Sequence, residues 1–320
     1  MSRSTKIWLI IATALVVSGI IMFGVLASMM NWNFMKLGTV KYETKNYELV
    51  ESFKNICVNT DTAEVVFLPA EDGVCRVICY EPAKAKHTVS VSDETLFINI
   101  TDERKWYDYI GITFSVPKIT VYLPENEYSA ATVKSSTGDV KMPVGFSFES
   151  LEIMASTGDV ECRSDVKGML KIALSTGDIE LENISAGDVE LSVTTGDIEI
   201  DALRCDGNIK ICVSTGDADL ENVSCRSFAS SGDTGELTLS SVIATEDFNI
   251  QRSTGNVQLY GCDAETLFIK TSTGDVRGNL LSEKVFLTKT DTGKVKIPAT
   301  KSGGSCEIRT TTGNIIIDIK

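Results

Sequence analysis

The stretch STGDIELENISAGDVELSVTTGDIEI, residues 175–200, decides the fold. After Gly177, apolar Ile179 and Leu181 flank polar Glu180. Before Gly196, apolar Val189 and Leu191 flank polar Glu190. Alternation with a period of two marks a strand with one face inward and one outward. Thr-Gly-Asp closes the period on both sides, at Thr176-Gly177-Asp178 and Thr195-Gly196-Asp197. Glycine is the residue for a corner in left-handed or otherwise strained backbone.

Working outward, the same unit recurs along the chain. Its glycines are Gly138, Gly158, Gly177, Gly196, Gly216, Gly235, Gly255, Gly274, Gly293 and Gly313. They are spaced 19 or 20 residues apart, and each is preceded by threonine. Apolar pairs follow the glycine, as in Ile198/Ile200, Val257/Leu259 and Val295/Ile297. Others precede it, as in Leu151/Ile153, Leu170/Ile172, Ile209/Ile211 and Leu267/Ile269. Seven residues after the glycine a further apolar residue is expected inside, at Ile184, Leu203, Val223 and Leu281. One such unit cannot bury its inner face alone, but units stacked in parallel enclose a continuous narrow core. The sequence therefore predicts an all-β fold, a parallel β-solenoid of 19–20-residue coils. Each coil carries two short strands and a third, weaker wall. A second corner is expected at Ser185-Ala186-Gly187-Asp188 and Cys205-Asp206-Gly207-Asn208.

Residues 50–134 lack the strict motif but keep strand patterning, as in Glu64-Val65-Val66-Phe67 and Leu96-Phe97-Ile98. They read as irregular first coils or an N-terminal cap, with residues 102–111 as an inserted loop. The regular solenoid, with its ten Thr-Gly corners, occupies 135–320. Ahead of it, residues 7–30 carry no charge, and ~20 apolar residues suffice to span a bilayer. This segment is too long for the core of a cleaved signal peptide. The expectation is a short tail at 1–6, a transmembrane helix at 7–30 and a juxtamembrane linker at 31–49. Arg3 and Lys6 precede the span, and Trp32 suits its far interface. Long domains translocate largely regardless of charge, so the solenoid is placed outside the cell membrane.

The serial Ser-Thr-Gly-Asp-Val/Ile units resemble those of the bacterial putative-adhesin family. Two further segments carry the resemblance, Val116-Pro117-Lys118-Ile119-Thr120-Val121-Tyr122-Leu123-Pro124 and Thr95-Leu96-Phe97-Ile98. Together they cover about residues 50–320. The resemblance implies a β-solenoid behind one membrane helix and a surface role, and it brings no catalytic residues.

The residue after each corner glycine is Asp139, Asp159, Asp178, Asp197, Asp217, Glu236, Asn256, Asp275, Lys294 or Asn314. Each Asp or Asn is expected to bond the backbone of its own turn, with the corner threonines stacked as a hydroxyl ladder. A calcium roll would repeat every nine residues and would not contain Lys294. Nine cysteines occur without a C-x-x-C pair and with a single histidine, His87, so no metal site is expected. The cysteines read as free thiols, mostly buried. Cys205 and Cys225 share one coil position and should stack, while Cys212 should point outward. The outward charges Arg163, Glu180, Glu199, Lys210 and Asp219 read as irregular in sign from coil to coil. His87 reads as a surface or cap residue. No nucleophile elbow, P-loop or HExxH motif occurs. A net charge of −14 argues against nucleic acid. The expectation is a non-enzymatic, cofactor-free, membrane-anchored binding or scaffold protein of the cell envelope, with a protein or polysaccharide partner. Its alternative is an accessory sensor of an envelope-stress signalling system. A polysaccharide-active β-helix enzyme is the weaker third reading.

Overall fold

A computed structural model describes residues 3–29, 32, 40–109, 113 and 115–320. Residues 1–2 of the expected tail, 30 of the expected transmembrane helix, 31 and 33–39 of the expected linker, and 110–111 of the expected loop lie outside them. The chain opens with a helix over Arg3–Met29, long and apolar enough to cross a membrane. Among the described residues from Tyr42 onward the chain is strand, turn and irregular connection, apart from one 3-10 turn at Trp106–Tyr109. The strands hydrogen-bond into one 26-stranded sheet wound as a parallel solenoid.

Each regular coil repeats the pattern read from residues 175–200. In the Gly196 coil, Ile198–Cys205 and Asn208–Thr215 are its two strands. Ile198, Ile200, Leu203, Ile209, Ile211 and Val213 are buried, and Glu199, Arg204 and Lys210 are exposed. In-register stacking builds columns of like residues, such as Leu170–Val189–Ile209–Phe228–Phe248–Leu267. Phe228 and Phe248 meet edge-on within this column, ring centres 5.4 Å apart. Burying each side chain of this size contributes ~1.5–3 kcal/mol, and the stack supplies what one coil could not.

Within the first strand of a coil the backbone turns at a residue six positions after the glycine. Asn183, Ala202, Asn222 and Ser241 lie there at φ between 52° and 56°, and Gly261 at 65°. This bend makes the third wall. The Gly274 coil has no positive φ at that place, and its pairing with the preceding coil shifts by one residue between Tyr260 and Cys262. Leu280 therefore fills the inner slot, and Leu281, expected inside, is 48% exposed.

Stacking does not follow chain order at the ends. Asn55–Asn59 lies between Thr95–Asp102 and Glu127–Thr137, and Glu64–Pro69 lies between Lys118–Leu123 and Val140–Met142. The first coil is thus second in space. At the other end, Gly304–Thr312 lies between Thr266–Thr273 and Lys284–Thr292. Ile315–Ile319 likewise separates Val276–Leu280 from Val295–Lys296. The last coil in sequence is next to last in space. Its inner residues Cys306, Ile308, Ile315 and Ile317 are all apolar and buried, which suits an interior place. The outermost coil is covered on one side only and carries Thr288 and Thr290 on its inner face.

The N-terminal end is closed by antiparallel strands. Cys75–Pro82 pairs with Lys118–Leu123, Ala85–Ser92 with Thr95–Asp102, and Tyr42–Leu49 with Cys75–Pro82. The expected linker at 31–49 therefore contains a strand. Alternate residues Tyr47 and Leu49 pack on the core, which gives this segment a reason to order.

Candidate functional site

The ten corner glycines all have positive φ, from 128° to 157°. A Cβ on Gly196 would stand 2.1 Å from the carbonyl oxygen of Gly177, and the same conflict recurs up the stack. Glycine is thus required twice, for the corner conformation and for the close approach of coils. The paired threonines, such as Thr157 with Thr176, are exposed and in register. Among the described residues no hydroxyl–hydroxyl bond joins them.

The residue after glycine bonds differently from expectation. Its side chain reaches the next coil, not its own turn. The Asp159 amide donates to Asp139 Oδ1 at 3.0 Å, Asp178 to Asp159 at 2.9 Å, Asp197 to Asp178 at 2.7 Å and Asp217 to Asp197 at 2.7 Å. Beyond Gly255 the series runs from Asn256 to Asp275, then Asn314, then Lys294, each accepting from the next amide. Every coil followed by another in this run needs a side-chain acceptor there. Lys294 sits on the outermost coil and donates only its amide, so a cation is tolerated.

In Asp139, Asp159, Asp178 and Asp197 this ladder uses Oδ1 and leaves Oδ2 on the outer wall, whereas Asp275 Oδ2 accepts from Arg277. Beside the ladder run two further columns, Glu161–Glu180–Glu199–Asp219 and Glu182–Asp201–Glu221. A groove of about 340 Å³ is lined there by Asp139, Asp159, Asp178, Asp197, Glu180 and Glu199, among others. Among the described residues cations reach its lower end, where Lys141 meets Glu161 at 3.3 Å and Arg163 meets Glu161 at 3.2 Å, Glu182 at 2.7 Å and Glu180 at 3.7 Å. The opposite wall pairs its charges: Lys210 meets Glu190 at 3.0 Å and holds that carboxyl below its usual range, and Lys171 meets Glu152 at 3.8 Å. The irregular alternation read from the sequence came from merging two walls. Lys210 belongs to the paired wall, and Glu180, Glu199 and Asp219 form a column of one sign.

The cysteines are free, seven of them buried. Arg204 pairs with Ser224, which puts Cys205 and Cys225 at the same level of adjacent coils. Cys212 lies in the outward column between Ser192 and Ser231.

His87 is not at the surface. It is buried in the cap, its Nδ1 2.7 Å from Glu81 Oε2 and its Nε2 3.0 Å from Thr60 Oγ1. The order hydroxyl, imidazole, carboxylate matches a hydrolase triad. However, Glu81 is wholly buried, His87 is 2% exposed and Thr60 8%, so a substrate carbonyl has no approach to the hydroxyl. No sequence pattern marks this group, because Glu81 and His87 lie on separate strands and Thr60 follows a third.

The family model described as Toastrack DUF4097 matches residues 53–222 and 206–320. No curated protein matches the chain. Among solved structures, a putative adhesin from Parabacteroides merdae is 13% identical and matches 75% of this chain and 97% of its own, with a TM-score of 0.52. A putative adhesin from Parabacteroides distasonis is 16% identical and matches 75% and 98%, with a TM-score of 0.51. Likeness at this identity is a likeness of fold.

Proposed function

This chain belongs to the Toastrack DUF4097 family, and from that premise we propose a membrane-anchored, non-catalytic binding module of the cell envelope whose binding face is the carboxylate wall. The observation that carries this reading is the stacking of like charges. Glu180, Glu199 and Asp219 are direct neighbours on successive coils, as are Glu182, Asp201 and Glu221. Like charges placed directly opposite destabilise a sheet, so such columns work against the fold. The paired wall shows that this scaffold accommodates alternating charge equally well. A one-sign wall on a rigid rod suits a cationic protein or polymer in the envelope. The exposed apolar helix at Arg3–Met29 supplies the anchor, and the names of the structural neighbours agree with a surface role.

The test is crosslinking of the full chain to envelope components on wall-stripped cells, compared with the exposed-face variant Glu180→Gln/Glu199→Gln/Asp219→Asn. The expected result is a crosslinked species that fades as salt is raised and is lost in the variant. Equal crosslinking by the variant and the parent would remove the wall as the binding face.

A further inference from the structure

We propose that Cys79, Glu81 and His87 form a zinc site inside the N-terminal cap. One ligand atom from each lies within 4.8 Å of the others, and all three residues are buried. Cys79 and Glu81 are two apart on the strand Cys75–Pro82, so they share its inner face. His87 comes from the strand Ala85–Ser92, which brings its ring back over them. Sulfur, nitrogen and oxygen donors together suit Zn²⁺.

The surroundings are those of a held ligand set. Glu81 Oε2 accepts the His87 amide at 2.6 Å, which fixes the carboxylate. Its other oxygen, Oε1, is buried and has no hydrogen-bond partner. A buried carboxylate oxygen left unpaired is costly, and a cation would satisfy it. Thr60 Oγ1 lies 3.0 Å from His87 Nε2 and can accept that N–H, so a metal ion can take the place of the proton that bridges Nδ1 and Glu81 Oε2 at 2.7 Å. Such an outer partner is the usual means of fixing the tautomer of a metal-bound imidazole. Tyr47 donates to the His87 carbonyl at 2.9 Å and holds the backbone from the other side. A thiolate, a carboxylate and a neutral imidazole around Zn²⁺ carry no net charge, as an interior site requires.

Bound metal would tie Cys75–Pro82 to Ala85–Ser92, two successive strands of the cap that pair with different neighbours.

The test uses the full chain in detergent, freed of metal and titrated with Co²⁺ and then Zn²⁺. One equivalent of Co²⁺ should produce thiolate charge-transfer absorption, which Zn²⁺ then bleaches. Cys79→Ser should abolish the absorption, and Thr60→Val should weaken binding by about tenfold or more. No absorption from the parent chain, or undiminished absorption in Cys79→Ser, would overturn the site. Should the Cys79 variant fail to fold, hydrogen exchange of the parent decides. Zn²⁺ should slow exchange across residues 79–87, and unchanged exchange there would overturn the site equally.

Discussion

Ala202 holds a corner at φ 56°, a conformation that costs an L-residue with a Cβ roughly 1–2 kcal/mol. Asn183 and Asn222 occupy the same place on neighbouring coils and tolerate it better. Ala202→Gly should therefore raise the unfolding midpoint, by about 1 kcal/mol in denaturant titration. Gly196→Ala should act in the opposite direction, and more strongly, by upwards of ~2 kcal/mol. It meets both a φ of 137° and the Gly177 carbonyl. Asp275 marks a second residue-scale dependence. The Asn314 amide, followed by the Arg277 side chain, holds the Asp275 carboxyl below its usual range. A carboxyl depressed in the folded state contributes stability above its unfolded pKa and loses that contribution as pH falls through the folded value. Acid should thus loosen the contact between the Gly274 and Gly313 coils. Asp275→Asn keeps an acceptor but does not titrate. Its melting temperature should fall less steeply below the carboxylate range than that of the parent.

At the scale of elements, the exchange of order at both ends decides where the edges lie. A parallel coil at the end of a stack offers unpaired backbone groups and half-covered side chains. At the C-terminal end that place is taken by the coil of Gly293, which is covered on one side only. Val285 and Leu287 of Lys284–Thr292 are exposed, while Gly304–Thr312, later in the chain, has Cys306 and Ile308 sealed between two coils. Backbone amides of Gly304–Thr312 should therefore exchange with solvent more slowly than those of Lys284–Thr292, although they lie nearer the chain terminus. Equal or reversed protection, read by mass spectrometry, would contradict the intercalated order. The strands themselves were legible from alternation, since Ile308 and Ile315 read as inward in any stacking order. Their neighbours were not legible. Every coil has the same inner pattern, so pairing with one neighbour or another satisfies the same sequence rule.

The whole molecule is a rod with one closed end, one open end and two chemically different long walls. The closed end is on the helix side, where antiparallel strands and the Cys79–Glu81–His87 group seal the core. With the helix as anchor, the solenoid is proposed to stand outside the cell. Protease added to intact wall-stripped cells should remove the 50–320 domain, and complete protection would reverse the orientation. The sequence by itself determined the coil, because a 19–20-residue period, alternating apolar residues and a Thr-Gly corner are local and repeat often enough to allow one winding. It also determined which face of nearly every strand turns inward. Tertiary structure alone decided how coils are ordered at the ends, which outward charges share a wall, and that the corner aspartates cap the next coil instead of their own. It likewise joined Cys79 and Glu81 to His87 and Thr60 across strands. The physical reason is common to all of these. Each depends on a contact between residues about one coil or more apart or across a strand turn, and a period tells where a residue points without telling what it meets.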